Sequence, residues 1–317
     1  MEGTGFNEEK SIIAALKSEI SKVIIGQEYM VERILIGLLT GGHILVEGVP
    51  GLAKSLTAST VAKAVGMEYR RIQFTPDLLP ADIVGTEIYK QNTGEFVVKK
   101  GPIFANMILA DEINRAPAKV QSALLEAMQE KQVTIGEKTY VLDKPFFVIA
   151  TQNPLEQQGT YPLPEAQQDR FMMKLKIGYP RWDEEKEIAR RFTAGEAEAV
   201  DVKTVLTRED ILGMKQKIES IYVDESVVNY VLRIIFKTRD KSQMIACGAS
   251  PRATINLIKA AKGRAFLEGR NYVTPDDIKA LVYDILRHRI ILTYEAEAED
   301  VSVENIIGEI MENIELP

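Results

Sequence analysis

The chain has 317 residues, which allows roughly two domains of ordinary size, and 45% apolar with 27% charged residues is the composition of a globular protein. Its 39 basic and 46 acidic residues give a net charge of -7, which argues against a general nucleic-acid binder, because such proteins carry a basic surface. One cysteine, Cys247, and two histidines exclude an internal disulfide framework, a multi-cysteine zinc site and histidine-based metal cages.

The N-terminus lacks the basic start and the apolar core of a signal peptide. No apolar run reaches the length that a membrane-spanning helix needs. We therefore expect a cytoplasmic protein without direct membrane insertion.

Two helices are predicted before the first strand, at residues 8–25 and 29–39, from the spacing of their apolar residues. The turn between them contains Ile24, Ile25, Gly26 and Gln27. An apolar turn of this kind can pack on a purine ring, which makes Gly26 and Gln27 candidate nucleotide contacts. On sequence alone, however, such a turn is more often part of the core.

A short apolar strand at 43–47 leads into a glycine-containing loop and then a helix, which is the arrangement that binds phosphates. Glycines in the loop permit backbone angles at which several N–H groups converge on one anion. Lys54 can reach the β- and γ-phosphates, and the Ser55 hydroxyl suits Mg²⁺. Ala53 stands where a glycine usually precedes the lysine, and alanine disfavours positive φ. The candidate nucleotide-binding residues are Gly48, Val49, Pro50, Gly51, Leu52, Ala53, Lys54, Ser55 and Leu56. The alternative is an ordinary glycine-rich turn between a strand and a helix.

An insertion at 75–102 follows the next predicted strand. Two alternating runs, 86–90 and 95–99, flank Asn92-Thr93-Gly94 and predict a hairpin. An exposed hairpin on an α/β core is either functional or a surface embellishment, and the sequence does not favour one over the other.

The apolar run at 106–110 ends in two acids, as expected of a buried parallel strand whose C-terminal end opens on a ligand crevice. Asp111 is placed to hold Mg²⁺, directly or through water. Glu112 can orient and polarise an attacking water. The alternative is a strand that ends in solvated acids.

A helix at 117–130 precedes a predicted hairpin at 132–142 that turns at Gly136. The next buried strand, 146–150, leads to Asn153, whose amide can hydrogen-bond the γ-phosphate or the water. Asn153-Pro154 is also a common turn dipeptide.

From about residue 183 onward the pattern is helical, with helix starts at Thr207, Asp224, Ser250-Pro251 and Thr274-Pro275. We therefore predict a nucleotide-binding α/β domain at 1–182 and a helical domain at 183–317.

Five segments together resemble the MoxR-type AAA+ ATPases of the helix-2-insert clade. They are residues 48–55 (GVPGLAKS), 109–116 (LADEINRA), 150–154 (ATQNP), 165–171 (EAQQDRF) and 248–253 (GASPRA). The resemblance implies a P-loop AAA+ core with a five-stranded parallel sheet, a smaller all-helical lid domain, and assembly into a homo-oligomeric ring, usually of six subunits.

The resemblance also implies residue roles. Residues 48–55 would be Walker A, Asp111 with Glu112 Walker B, and Asn153 sensor 1. Arg170 would be an arginine finger that acts on a neighbouring subunit's ATP, and Arg252 the sensor 2 arginine. From the residues alone, Arg170 is a surface ion pair and Arg252 a helix-start residue that pairs locally.

The expected function is Mg²⁺-dependent ATP hydrolysis by a ring that remodels or matures protein partners in a chaperone-like way. A protein with a von Willebrand factor A (VWA) domain is the partner that the resemblance implies. A nucleic-acid-translocating AAA+ motor is the alternative, with the hairpins lining a channel. The net acidity and the single lysine, Lys138, at 134–139 argue against it, so no nucleic-acid partner is expected.

Overall fold

The computed structural model of the protein describes residues 6–154, 159–195, 201–240 and 243–317. The strands are β1 (Ile44–Glu47), β2 (Tyr69–Gln73), β3 (Gly85–Lys90), β4 (Glu95–Lys100), β5 (Met107–Asp111), β6 (Gln132–Ile135), β7 (Lys138–Val141), β8 (Phe147–Gln152), β9 (Met173–Lys176), β10 (Ile245–Cys247) and β11 (Ile291–Leu292). The helices are α1 (Asn7–Ser21), α2 (Glu28–Thr40), α3 (Lys54–Ala64), α4 (Pro80–Val84), α5 (Ala118–Glu130), α6 (Glu165–Gln168), α7 (Trp182–Thr193), α8 (Arg208–Glu219), α9 (Glu225–Lys237), α10 (Pro251–Leu267), α11 (Pro275–Leu286), α12 (Tyr294–Ala298) and α13 (Val303–Glu312).

A five-stranded parallel sheet in the order β2-β5-β8-β1-β9 forms the centre of the fold, which confirms the predicted fold class. Its central strands are apolar up to the polar residues at their C-terminal ends, because both faces of the sheet are covered. Along β1, Ile44 and Val46 face one apolar cluster and Leu45 faces the other. The first cluster contains α1, α2 and α3, and the second contains α5.

Helix starts in the second half of the chain lie where the capping residues predict them. The Thr207 hydroxyl accepts a 3.2 Å hydrogen bond from the Asp210 N–H at the start of α8, and the Asp224 carboxylate accepts one of 2.9 Å from the Ser226 N–H at the start of α9. These side chains satisfy N–H groups that have no partner within their own helix.

Both predicted hairpins are present. Strands β3 and β4 pair antiparallel and form a separate two-stranded sheet in the insertion, and β6 pairs with β7. On the first hairpin the rings of Tyr89 and Phe96 pack across the two strands with centroids 5.2 Å apart, and 70% of Phe96 is exposed. An exposed aromatic pair of this kind is uncommon on a surface without a partner.

The second half of the chain is helical, with one short addition. Strands β10 and β11 form an antiparallel ribbon, which is too short to leave an alternating pattern in the sequence. The helices pack directly on the α/β part: a Cβ atom added to Gly263 of α10 would lie 2.8 Å from the Thr40 side chain of α2. One apolar cluster therefore continues from α1 and α2 through α8, α9, α10 and α11.

A buried ion pair reinforces this contact. Arg33 Nε of α2 lies 2.7 Å from Asp284 Oδ2 of α11, and the two side chains are 7% and 3% exposed. The Tyr29 hydroxyl donates to the same carboxylate, and Arg287 lies 3.2 Å from it. A buried carboxylate requires this many partners, because an unpaired charge in the interior costs several kcal/mol.

His43 is buried just before β1, packs against the rings of Phe146 and Phe147, and forms hydrogen bonds with backbone groups. Its Nδ1 accepts a 3.0 Å hydrogen bond from the Val148 N–H, and its Nε2 lies 3.2 Å from the Met128 carbonyl oxygen, to which it donates. Burial lowers the pKa of His43 to about 4. The ring is therefore neutral at pH 7, and its role is structural.

Among the described helices, none combines the length and the apolar character that crossing a bilayer demands.

Candidate functional site

The loop after β1 uses two glycines for two different reasons. A Cβ atom on Gly48 would lie 2.9 Å from the Ile177 carbonyl oxygen, so Gly48 permits a close approach of two chains. Gly51 has a φ of +86° with open space around it, so glycine is needed there for its backbone conformation and not to avoid a steric clash. Ala53 has a φ of 53°, in the left-handed region that favours glycine. At this strained residue the chain turns from the loop into α3, which places the start of the helix against the loop.

The N-terminus of α3 is open at this loop. Ala53 occupies the N-cap position and provides no side-chain cap, so the first N–H groups of the helix are free to bind an anion. Lys54 Nζ donates to the Gly48 carbonyl at 2.5 Å and to the Val49 carbonyl at 3.2 Å. Burial lowers the pKa of Lys54, and the charges of Asp111 and Glu112 oppose that effect. The Lys54 ammonium group is thus already held within the loop by two backbone carbonyl groups.

Asp111 ends β5 and is 8% exposed. Its Oδ1 accepts a 2.6 Å hydrogen bond from the buried Thr151 hydroxyl, and its Oδ2 lies 2.6 Å from Arg71 Nη2. Ser55 Oγ lies 3.4 Å from the same Oδ2. A hydroxyl and a carboxylate oxygen therefore lie side by side at the loop, as the sequence predicts, and both are ligand types that Mg²⁺ prefers.

Glu112 follows in a left-handed conformation, with φ 56° and ψ 50°. Its N–H donates to the Thr151 hydroxyl at 2.8 Å, so one buried threonine fixes both acids. The Glu112 carboxylate accepts a 2.9 Å hydrogen bond from Gln73 and lies 3.1 Å from Arg115 Nε. Positive φ is costly for glutamate, and such strain is concentrated at functional sites.

These residues surround one cleft of about 380 Å³ at the C-terminal ends of β1, β5 and β8. Asn153, which follows β8 and is 6% exposed, completes the wall. In parallel sheets, ligands bind at this end of the strands. The residues that line the cleft are Pro50, Gly51, Leu52, Ala53, Lys54, Ser55, Leu56, Arg71, Asp111, Glu112, Thr151 and Asn153.

Gly26 and Gln27, the candidate purine contacts, do not line this cleft. Gly26 has a φ of 71°, and a Cβ atom on it would lie 2.6 Å from the Glu184 carboxylate of α7. Gln27 is the N-cap residue of α2 and is 8% exposed. The neighbouring Ile24 shares an apolar cluster with Leu52 of the loop. The contact of Gly26 and Gln27 with a base remains a prediction.

The two candidate arginines lie together, away from the cleft. Arg170 precedes β9, at the opposite end of the sheet from Lys54. Arg252, at the start of α10, lies 3.3 Å from the carboxylate of Asp169, the residue before Arg170. Arg289 holds the other oxygen of Asp169 at 2.7 Å. Within the described ranges, no carboxylate lies within 4.0 Å of the Arg170 guanidinium. Arg252 thus pairs with a residue 83 positions away in the chain and not with a residue of its own helix.

Three side chains of the site were not identified from the sequence. Arg71 and Gln73 alternate along β2, a pattern that resembles a solvent-exposed face. They reach the acids only because β2 pairs with β5 in a register that sets Gln73 beside Asp111. Thr151 had a recognisable signal, since a hydroxyl at the end of a buried apolar strand needs a partner.

Comparison with known proteins agrees with this geometry. Residues 43–173 match the family model described as "ATPase family associated with various cellular activities (AAA)", and residues 238–310 match the AAA lid domain. The chain is 48% identical over 307 residues to Chaperone MoxR1 of Mycobacterium tuberculosis, covering 94% of this chain and 81% of that protein. It is 44% identical to the YeaC protein of Bacillus subtilis, covering 94% and 92%.

A solved structure of a protein from Cytophaga hutchinsonii superposes with a TM-score of 0.91 at 51% identity, covering 98% of this chain and 96% of that one. A Protein MoxR from Methylorubrum extorquens is more distant, at 27% identity over 330 residues, covering 96% of this chain and 95% of that protein. The similarity therefore extends over nearly the whole chain and includes both the sheet and the helical part. The chain belongs to the MoxR family of AAA+ ATPases.

Proposed function

We propose that the protein binds and hydrolyses Mg²⁺-ATP as a homo-oligomeric ring, usually of six subunits, and uses the reaction to remodel protein partners in the cytoplasm. The observation that carries the proposal is the convergence of Lys54, Ser55, Asp111 and Glu112 on one cleft. These are the groups that phosphoryl transfer to water requires: a phosphate-binding amine, two oxygen ligands and a base.

In this proposal the open N–H groups of α3 and the loop bind the β- and γ-phosphates, and Lys54 leaves the Gly48 carbonyl to reach them. Glu112 accepts a proton from the attacking water, and its partners Gln73 and Arg115 hold the carboxylate toward the cleft. Asn153 hydrogen-bonds the water or the γ-phosphate. The main contribution of the protein is therefore the positioning of charge and hydrogen bonds.

The residues present fit magnesium. Ser55 Oγ and Asp111 Oδ2 are 3.4 Å apart and offer two hard oxygen ligands, while phosphates and water supply the rest in sites of this kind. The described residues contain no cluster of three or more histidine, cysteine or acidic side chains that could hold a metal alone. Magnesium, when bound, supplies positive charge to the phosphate oxygens.

The ring is supported by the position of Arg170 and Arg252. Residues that precede parallel strands lie at the opposite sheet edge from residues that follow them, so neither arginine faces the cleft of its own subunit. We propose that both act on the nucleotide of a neighbouring subunit. A contact between two different faces of identical subunits is heterologous, and such contacts form a ring when the rotation between neighbours closes.

The chaperone-like role is supported by the name of the relative Chaperone MoxR1. A VWA-domain protein is the partner that we propose. The nucleic-acid motor is not favoured, because the tip of the β6–β7 hairpin carries Glu137 beside Lys138 and the chain has a net charge of -7.

The test compares two substitutions by calorimetry and by phosphate release. Lys54→Ala should abolish ATP binding, whereas Lys63→Ala, on the same helix but outside the cleft, should leave it unchanged. Glu112→Gln should bind ATP and lower turnover by about 10²-fold or more. Glu112→Gln turnover at the wild-type rate would refute the assignment of the base. The ATP-trapped Glu112→Gln protein is also the form in which to capture a VWA-domain partner.

A further inference from the structure

Five lysines line a groove at the N-terminal edge of the sheet, far from the nucleotide cleft. Two adjoining cavities of about 440 and 410 Å³ share Gly41, Lys131, Lys215 and Glu219. The lysine groove is defined by Lys131, Lys144, Lys215, Lys259 and Lys262. Its walls also contain apolar side chains, including Ile255, which is 53% exposed.

The positive charge in this groove is poorly compensated. In the described part of the chain, no carboxylate lies within 4.0 Å of the ammonium groups of Lys131, Lys144, Lys215 or Lys259, and Lys262 donates to the Glu219 carbonyl. Burial lowers the pKa of Lys215, and the neighbouring positive charges, led by that of Lys131, act in the same direction against an opposing effect of Glu219. An unpaired positive cluster in a protein of net charge -7 calls for an anionic occupant.

The C-terminal part of the same chain carries the complementary charge. Residues 290–317, the acidic segment, contain no lysine or arginine. The acidic side chains in it that are exposed and lack an ion-pair partner among the described residues are Glu295, Glu297, Glu299, Asp300, Glu309, Glu312 and Glu315. Glu309 and Glu312 lie on the same side of α13, since positions three apart on a helix are neighbours.

The groove and helix α13 of the acidic segment lie at opposite ends of the parallel strands. The groove includes Gly41 and Lys144, which each precede a strand by three residues, and Arg170 has the same relation to β9. The acidic segment begins beside the N-terminal end of β9, because Arg289 binds the Asp169 carboxylate at 2.7 Å. Its last helix, α13, starts at the C-terminal end, because Glu304 lies 2.7 Å from Lys176, the last residue of β9. A subunit therefore cannot place α13 in its own groove without unpacking that helix, whereas a second copy can supply it.

We propose that the lysine groove of one subunit binds the acidic segment of the next subunit. The proposal rests on the ring proposed above, because the groove lies at the same strand ends as Arg170, which turns toward the neighbour's cleft, and α13 of the acidic segment starts at the strand ends that border the cleft. The paired charges steer the two subunits and fix their orientation. Because salt screens exposed charges, the contact weakens as the salt concentration is raised.

The test is a charge exchange, followed by sedimentation velocity with Mg²⁺ and a non-hydrolysable ATP analogue. The groove variant is Lys144→Glu/Lys259→Glu, and the segment variant is Glu309→Lys/Glu312→Lys, all at exposed positions that a folded chain tolerates. Each variant alone should assemble at least about tenfold more weakly than wild type. A 1:1 mixture of the two should assemble again, because each unlike neighbour pair restores opposite charges. The control Lys186→Glu/Lys279→Glu, with the same change in net charge as the groove variant, should assemble like wild type.

Normal assembly of either variant, or no recovery in the mixture, would overturn the proposal. A wild-type protein that stays monomeric with bound nucleotide would also overturn it. So would a wild-type protein whose assembly is unchanged when inorganic polyphosphate binds the groove. Nucleotide binding is measured on the same samples by calorimetry. Absence of ATP binding by the wild type refutes the proposed function, whereas normal assembly of the variants, or no recovery in their mixture, with ATP binding intact refutes the groove contact alone.

Discussion

Arg71 Nη2 lies 2.6 Å from Asp111 Oδ2, and Arg71 Nε lies 2.9 Å from the same oxygen. That oxygen also lies 3.4 Å from the Ser55 hydroxyl, so the guanidinium occupies one side of the proposed magnesium site. A cation that enters there competes with Arg71 for the carboxylate. In the proposed site, the arginine would therefore set how strongly magnesium is held before nucleotide binds.

Replacing Arg71 with alanine should lower the Mg²⁺ concentration that gives half-maximal ATP hydrolysis, by about threefold to tenfold, because a half-exposed ion pair contributes roughly 1 kcal/mol. The measurement is a magnesium titration of turnover at saturating ATP. Arg70→Ala is the matched control, because Arg70 pairs with Glu68 on the other side of β2. An unchanged or higher magnesium requirement in Arg71→Ala would contradict the competition.

Ala53→Gly should keep ATP binding and should not lower the free energy of unfolding. Ala53 has a φ of 53°, where a Cβ atom costs about 1 kcal/mol that glycine does not incur. The greater entropy of glycine in the unfolded chain offsets part of this gain. Denaturant unfolding provides the measurement. Ala62→Gly, in the regular part of α3, should lose about 1 kcal/mol or more. Equal losses at the two positions would show that the left-handed conformation carries no strain.

Arg170→Ala should lower ATP turnover by about 10³-fold while leaving ATP affinity unchanged, as expected when a guanidinium acts only on the transition state of a neighbour's nucleotide. Mixing this variant with Lys54→Ala should restore part of the turnover, since Lys54→Ala subunits still provide Arg170. Steady-state phosphate release over a range of mixing ratios measures the effect. Turnover in mixtures that never exceeds that of the Arg170→Ala protein would exclude action between subunits.

Acidification should destabilise the protein through His43. Its pKa is lowered to about 4 in the folded state, so between pH 6.5 and 4 the unfolded chain binds a proton that the folded chain does not. The free energy of unfolding should therefore fall as pH falls through this window. His43→Gln can keep one donor and one acceptor without titrating, and its stability should depend less steeply on pH. Parallel slopes for the two proteins would show that His43 does not titrate in this way.

Much of the fold was predictable because it depends on local patterns. The apolar run before Asp111 and the caps at Thr207 and Asp224 identified a strand and two helices that the structure contains. The roles assigned to the site residues remain predictions, although Lys54, Ser55, Asp111, Glu112 and Asn153 do lie around one cleft.

The remaining features depend on contacts between distant segments. Arg252 meets Asp169 across 83 residues of chain, and nothing in the local sequence of either predicts the pair. Gln73 reaches Glu112 through strand register alone. The lysine groove brings together lysines from α8, α10 and the segments before β6 and β8, each of which alone resembles a solvated surface charge.

The apolar cluster that runs from α1 and α2 into α8, α9, α10 and α11 has a mechanical consequence. Pulling the two halves of a subunit apart would expose side chains worth about 1.5–3 kcal/mol each, so a handful of them equals the stability of a typical domain. In the ring proposed above, each protomer would then move as a single unit. The rearrangement driven by nucleotide turnover would occur where one protomer contacts the next, and it would reach a protein partner as a displacement of whole protomers.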